Sequence, residues 1–198
     1  MNFDEQAFNA RFQQLLGERT GAKNIAVVQA ITDQVRREFG IWTEPTLARC
    51  SSSQLAGVLL SELAKLDDAQ ARWDLFRTHW SGCDDTYELR FEFLSVLPRL
   101  VGMTHGNDQD FFDALPSEVR VYRGCASDRV YGLSWTTDKA TAVRFARGRR
   151  LSYKSGRTVV STAVKKTEIL TVFQDREEYE VLLDFTALGP TKKERFRY

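Results

Sequence analysis

The chain of 198 residues has few of the side chains that bind metals or form disulfides. It contains three cysteines, Cys50, Cys83 and Cys125, and two histidines, His79 and His105. The cysteines are odd in number and widely spaced, and no Cys-x-x-Cys pair occurs. The sequence therefore predicts neither a zinc site nor a set of disulfides. Reduced thiols in a cytoplasmic compartment are the simpler interpretation.

The sequence also lacks the long apolar run that a membrane span requires. Its first five residues include two acids, Asp4 and Glu5, where a secretion signal carries bases. We therefore expect a cytoplasmic protein that does not insert into a membrane. Aromatic residues are plentiful, with 13 Phe and 4 Trp, and 42% of the chain is hydrophobic. This composition favours one globular domain, or a compact domain with a helical extension, over disorder.

Neither sign of charge dominates the chain, and its formal net charge is +1. The total conceals an asymmetry, because residues 1–113 hold 11 basic and 17 acidic residues whereas residues 114–198 hold 17 and 10. The basic half is expected to attract a ligand that carries phosphate. The alternative is that the two halves simply have complementary surfaces.

The hydrophobic periodicity changes near residues 113–117. Before this point, apolar stripes at helical spacing predict five helices with core positions beginning at Phe8, Val28, Leu59, Trp73 and Phe91. After it, β-rich segments predict strands near residues 119–123, 133–137, 158–164, 169–173 and 179–184. A helix over residues 139–147, capped by Asp138, interrupts these strands. The predicted fold class is α+β, with a helical region (1–115) and a strand-rich domain (116–198).

Three short segments could carry chemistry, and two of them lie in the first predicted strands. Arg123 ends a strand, where its planar guanidinium can bind a phosphate, and Gly124 lets the backbone approach a ligand closely. Ser134 and Thr136 point to the same face of the next strand, where their hydroxyls can hold a carboxylate. Taken singly, ordinary structure explains both segments: a surface arginine before a turn, and a strand that leads into a capped helix.

The third segment places two carboxylates two residues apart. Glu178 and Glu180 enter an apolar strand, so both face the same way and Glu180 lies deeper in the sheet. Neighbouring acids at the entrance of a strand repel each other, which indicates a function. Glu177, in contrast, is interpreted as part of a solvated acidic turn.

In this order, the segments resemble the motifs of the arginine–serine–glutamate class of mono-ADP-ribosyltransferases, which includes clostridial binary-toxin enzymes and arginine-specific transferases. The matches are Arg123, Ser134-Trp135-Thr136 and Glu178-Tyr179-Glu180. The resemblance covers residues 116–187 and implies an ADP-ribosyltransferase-like β-sandwich with one prominent helix. Trp135 departs from the family pattern by replacing a small residue, and we expect its side chain to point away from the hydroxyl face. The short spacing between Arg123 and Ser134 implies a tight connection.

The resemblance implies an enzyme that splits nicotinamide from NAD⁺ and transfers the ADP-ribose. Glu180 would stabilise the oxocarbenium-like transition state, and Ser134 would fix its rotamer. Thr136 would support the same network. Glu178 would polarise the incoming nucleophile of the acceptor.

The same resemblance implies how NAD⁺ is bound. Arg123 would contact the phosphates, and the backbone of Gly124 would bind the nicotinamide carboxamide. Phe145 would stack on the nicotinamide ring, or else lie in the core of its helix. No metal is expected. The Gly-x-Gly-x-x-Gly fingerprint is absent, so NAD⁺ would be a consumed co-substrate and not a redox cofactor.

The acceptor stays open between protein and nucleic acid. The two carboxylates favour a protein arginine. Basic residues favour RNA or DNA, because eight of them form a stretch without an intervening acid and residues 192–198 mix bases with aromatics. The eight are Arg144, Arg147, Arg149, Arg150, Lys154, Arg157, Lys165 and Lys166. Two different functions also stay open: an NAD⁺ glycohydrolase, with water as acceptor, and a non-catalytic nucleotide-binding module.

An enzyme that consumes NAD⁺ in the cytoplasm is similar to bacterial or phage-associated toxins, effectors and defence enzymes. Such an enzyme often requires an inhibitor protein, as in toxin–antitoxin pairs. The acidic helical region could bind that inhibitor, contact the substrate, or form a lid over the sheet.

Overall fold

A computed structural model describes residues 4–18, 25–39, 46–84, 86–97, 106–148, 156–174 and 177–195. Helices come first and an antiparallel sheet follows, so the expected α+β class is confirmed. The helices are α1 (Glu5–Glu18), α2 (Ile25–Glu38), α3 (Ser52–Leu63), α4 (Ala69–Trp80), α5 (Arg90–Val96), α6 (Gly106–Ala114) and α7 (Lys139–Arg147). The strands are β1 (Glu118–Ala126), β2 (Ser134–Thr136), β3 (Arg157–Lys165), β4 (Ile169–Phe173), β5 (Glu180–Leu183) and β6 (Lys192–Arg195).

The six strands lie in the order β4-β5-β2-β1-β3-β6, and all neighbours are antiparallel. Strand β1 pairs with β3 along its whole length. Strand β2 has only three residues, yet it pairs with β5 on one side and with β1 on the other. It therefore joins the strands into one sheet, and the sandwich of two sheets implied by the resemblance is not seen among the described strands.

The helical region and one face of the sheet share a hydrophobic core. Helix α4 contributes Trp73, Phe76 and Trp80 to a cluster that also contains Phe173 from β4 and Leu182 from β5. The rings of Trp73 and Phe76 meet edge to face, with centroids 5.7 Å apart. Helices α3 and α4 are thus part of the same packed unit as the sheet, since removing them would expose these apolar side chains.

The opposite face of the sheet carries a second cluster. Trp135 lies in it, buried, with Nε1 donating a hydrogen bond to the carbonyl of Gly132 at 2.8 Å. The expectation that this side chain points away from the two hydroxyls of β2 is confirmed. Phe111 and Phe112 of α6 pack against the same cluster, so α6 covers part of this face.

Helices α1 and α2 form a hairpin with its own small core of Leu15, Ile31 and Val35. Arg11 and Glu38 join the two helices through a bidentate ion pair, with the Arg11 Nε 2.7 Å from a Glu38 carboxylate oxygen. Hydrogen bonding to Arg11 lowers the pKa of Glu38 to about 2. The hairpin is therefore stabilised locally, by contacts between its own two helices.

Helix α7 crosses β1 at very close range. Asp138 caps its N-terminus by accepting bonds from the backbone N–H groups of Ala140 and Thr141, as the sequence predicts. A Cβ atom at Gly124 would overlap the carbonyl oxygen of Ala142 and crowd the backbone of Ala146. Glycine is thus required at position 124 because the helix backbone lies directly on the strand.

Some local expectations are wrong. Helix α5 buries Phe93, and Leu97 directly after the helix is also buried, whereas Phe91 is 54% exposed. Among the described residues, the ring of Phe91 packs against that of Phe185. Helix α6 and strand β6 are additions that the periodicity does not predict. The buried side of α7 consists of Thr141, Ala142 and Ala146, so Phe145 is not a core residue of that helix.

Candidate active site

The candidate site lies next to the short pairing between strands β1 and β2. Strands β1 and β2 pair at one point, Tyr122 opposite Thr136. The guanidinium of Arg123 lies beyond this pair and donates to the carbonyl of Ser134 at 2.5 Å and to that of Arg129 at 3.4 Å. A Cβ atom at Gly132 would overlap this guanidinium. Arg123 therefore bridges the gap between the strands, and the glycine leaves room for it.

Glu180 is the first residue of β5 and lies next to this gap. Its carboxyl group accepts a hydrogen bond from the Ser134 hydroxyl and another from Nε1 of Trp80, at 3.1 Å from Oε1. Ser134 sits diagonally across from Glu180 in the antiparallel ladder, on the same face of the sheet. The sequence expectation that Ser134 holds Glu180 agrees with this geometry, whereas the contact with Trp80 was not anticipated.

The surroundings of Glu180 control its ionisation. Burial raises the pKa of its carboxyl group, and the charge of Glu178 acts in the same direction. The hydrogen bonds from Ser134 and Trp80, together with the charge of Arg123, lower it in part. The net shift is upward, which is the kind of perturbation often found for carboxyl groups at functional sites.

The turn before β5 carries the second carboxylate. Glu177 and Tyr179 both have positive φ angles, 54° and 49°, which non-glycine residues rarely adopt. The Thr136 hydroxyl donates to the carbonyl of Glu178 at 2.7 Å, and the Thr137 N–H donates to the carbonyl of Tyr179 at 3.1 Å. Thr136 of β2 and Thr137 directly after it thus hold the turn that carries Glu178. Such backbone conformations cluster at functional sites.

The chain leading into this turn is also anchored at its start. Asp108 of α6 accepts a hydrogen bond from the backbone N–H of Gln174 at 2.8 Å. Its other oxygen forms an ion pair with Arg77 of α4, which also donates to the hydroxyl of Thr171 and lies over the ring of Phe173. The end of β4 is therefore tied to two helices. Asp175 and Arg176 lie outside the described residues.

These groups line one cleft of about 260 Å³. All seven residues predicted from the sequence contribute to its wall: Arg123, Gly124, Ser134, Thr136, Phe145, Glu178 and Glu180. The ring of Phe145 is 45% exposed, as a ring available for stacking would be. The hydroxyl of Thr136 bonds to the backbone of Glu178 and Asp138, so it supports the site through the main chain.

The far wall comes from the helical region and its following loop, which the sequence motifs do not include. It consists of Trp80, Ser81, Cys83, Asp84, Thr86 and Tyr87. Burial raises the pKa of the Cys83 thiol to about 12, so this thiol stays protonated at neutral pH. It is therefore unsuited to act as a nucleophile.

The basic stretch is described only in part, because Arg149, Arg150 and Lys154 lie outside the described residues. In the part of the chain that the structure covers, no three His, Cys, Asp or Glu side chains are grouped to hold a metal ion. No helix within those ranges is long and apolar enough to cross a membrane. Comparison of the chain with protein-family models, with curated proteins and with solved structures gives no match.

Proposed function

We propose that the chain is a mono-ADP-ribosyltransferase that cleaves NAD⁺ and transfers its ADP-ribose to a macromolecular acceptor. One observation carries the proposal: the Glu180 carboxyl, held by Ser134, lies in the same cleft as the Arg123 guanidinium and the Glu178 carboxyl. These four residues come from three separate segments of the sequence. Their convergence supports the function that the order of the motifs implies.

Glu180 has the chemistry that cleavage of the glycosidic bond requires. As nicotinamide leaves, positive charge develops on the ribose, and a fixed carboxylate beside the sugar stabilises it. Ser134 limits the rotamers of Glu180, so little reorganisation is needed during the reaction. The leaving group departs as neutral nicotinamide and requires no acid.

Arg123 and Glu178 have complementary roles in this proposal. Backbone carbonyls occupy part of the five-donor guanidinium of Arg123, and further donors can bind a phosphate oxygen of NAD⁺. Glu178 accepts the proton that the acceptor nucleophile loses as its new bond to the ribose C1′ forms. The cleft volume of about 260 Å³ lies just below the range for sites that hold a whole ligand, roughly 300–1,000 Å³, so the cleft is sized for the reacting half of a dinucleotide.

A protein arginine is the acceptor that the pair of carboxylates favours. Nucleic acid is the second candidate, because Arg144 and Arg147 of α7 are exposed on either side of Phe145, which lines the cleft. Exposed basic side chains around an aromatic ring are typical of protein surfaces that bind single-stranded nucleic acid. NAD⁺ is cleaved in the same way for both acceptors. One experiment that follows the transferred ADP-ribose can therefore show which acceptor is used.

The first prediction concerns Glu180→Gln in the full chain, incubated with adenylate-labelled NAD⁺ and cell lysate. We expect nicotinamide release to fall at least about a hundredfold, because the variant loses the charge that stabilises the transition state. Glu177→Gln is the matched control, since Glu177 lies on the same turn but is exposed and outside the cleft wall.

The fate of the label identifies the acceptor. Loss to protease indicates a protein, loss to nuclease indicates RNA or DNA, and free ADP-ribose alone indicates a glycohydrolase. If the unmodified chain releases no nicotinamide, the proposal is wrong and a non-catalytic nucleotide-binding module is favoured.

A further inference from the structure

The helical region contributes one side chain directly to the central carboxyl group. Trp80, the last residue of α4, is 4% exposed and lines the cleft. Its Nε1 lies 3.1 Å from Oε1 of Glu180. An indole N–H can only donate a hydrogen bond, so this contact always uses a lone pair of the carboxyl group.

Packing fixes the direction of this donor. The Trp80 ring lies 4.8 Å from the ring of Phe76 and meets Phe93 edge to face at 5.4 Å. Both phenylalanines are fully buried. A side chain held in this way cannot turn its N–H elsewhere without disturbing the core. The donor of the hydrogen bond to Glu180 is therefore held in a fixed orientation.

We propose that Trp80 is a positioning residue for Glu180, so that the helical region supplies part of the active site. The inference rests on the proposed function and extends it to a residue outside the three motifs. Ser134 holds the carboxyl from the sheet, and Trp80 holds it from α4. Two donors on separate elements leave the carboxyl group less freedom than either donor alone.

Removing the indole N–H should also change the ionisation of Glu180. Glu178 opposes ionisation, and Arg123 favours it. The other titratable or charged groups of the cleft are Cys83, Asp84, Tyr87, Tyr122, Cys125 and Arg129. None of these is altered in a Trp80→Phe variant. Loss of the donor then disfavours the carboxylate, and the acid limb of the activity profile moves to higher pH.

Trp73→Phe is a closely matched control. Trp73 lies two turns earlier on α4, in the same buried cluster, and its Nε1 has no hydrogen-bond partner among the described residues. Both substitutions remove a similar volume from one core, but only Trp80→Phe removes a donor to Glu180. A general packing effect would therefore appear in both variants.

The second prediction is a split between kcat and KM. We expect Trp80→Phe to lower kcat for nicotinamide release by about tenfold or more, since the bond to a charged group is lost. The KM for NAD⁺ should stay within about twofold, and Trp73→Phe should keep both parameters near those of the unmodified chain. Equal effects of the two substitutions, or an unmoved acid limb in Trp80→Phe, would overturn the proposal.

A measurement without activity separates this inference from the proposed function. In the unmodified chain, the indole N–H resonance of Trp80 should follow the titration of the Glu180 carboxyl, and that of Trp73 should not. An indole resonance of Trp80 that ignores this titration refutes the positioning role even if Trp80→Phe fails to fold. A chain that titrates as expected but releases no nicotinamide refutes the proposed function alone.

Discussion

At the scale of single residues, the carboxyl group of Glu180, to which we assign catalysis, has a cost to stability. Its pKa is raised in the folded chain, chiefly by burial, so the folded state binds the proton more tightly than the unfolded state does. The ionised carboxyl therefore opposes folding at pH values above the folded-state pKa. This cost disappears as the pH falls and the carboxyl becomes protonated in both states.

The third prediction is that Glu180→Gln raises the melting temperature while it lowers the rate of nicotinamide release. The gain should be full above the folded-state pKa of Glu180 and should shrink as the pH falls toward the ordinary value for glutamate, about 4.3. Thermal unfolding measured across this pH range tests it, with Glu177→Gln as control. A lower melting temperature at neutral pH would show that hydrogen bonds to the carboxylate outweigh its burial.

Sequence reasoning finds the motif residues at this scale but not their partner on α4. The order of Arg123, Ser134 and Glu180 along the chain resembles a known pattern, and the fold brings the three side chains to one cleft. Trp80 gives no comparable signal, since an aromatic residue in a helical stripe indicates a core position, which it also occupies. Its second role depends on a contact with a residue a hundred positions away. No local pattern encodes such a contact.

At the scale of elements, two glycines have different structural roles: Gly124 lies within β1, and Gly132 lies in the loop between β1 and β2. Gly124 permits the contact between β1 and the backbone of α7. Gly132 makes room for the flexible end of Arg123. The sequence suggests that Gly124 lets the backbone approach a ligand, but its missing side chain faces the helix. The backbone of Gly124 still lines the cleft.

The fourth prediction contrasts alanine at these two positions. Gly124→Ala should destabilise the fold by about 1–3 kcal/mol, because two backbones must separate. Gly132→Ala should cost less stability but weaken NAD⁺ binding, because the guanidinium of Arg123 must move aside. Chemical denaturation and NAD⁺ titration of both variants test this contrast. It is refuted if Gly132→Ala binds NAD⁺ normally, or if Gly124→Ala is as stable as the unmodified chain.

Element prediction succeeds where the pattern is periodic and fails where tertiary contacts decide. The bounds of α7 and β4 match the predicted segments, since capping and β-rich composition are local signals. Helix α6 was missed because its first half is polar and only Phe111 and Phe112 pack on the sheet. Strand β6 has no strand signal in the sequence because all four of its residues are charged. It forms by pairing with β3.

At the scale of the whole molecule, the boundary near residues 113–117 separates two kinds of secondary structure but not two cores. One cluster contains side chains from α3, α4 and α5 together with Phe173, Leu182 and Phe185. The change of periodicity marks where strands begin, whereas the shared core results from how helices pack on the sheet. Neither the sequence of the helical region nor that of the strand-rich domain shows this packing when read alone.

The fifth prediction is that residues 116–198 do not fold cooperatively when expressed alone. Without the helices, Leu170, Phe173, Leu182 and Phe185 would lose their cover, and the exposed apolar surface would favour aggregation. Circular dichroism and thermal unfolding of this fragment, compared with the full chain, provide the measurement. A sharp unfolding transition in the fragment would contradict the shared core.

The turn at Glu177 and Tyr179 has a consequence for anyone who engineers this chain. Each left-handed residue costs on the order of 1–3 kcal/mol, and contacts from Thr136 and Thr137 keep the turn in place despite that cost. Selection for heat resistance alone would readily accept glycine at these two positions, because glycine relieves the strain. The same change would let the Glu178 side chain sample more positions. Under the proposed function, thermostable descendants are therefore expected to discriminate less between acceptors.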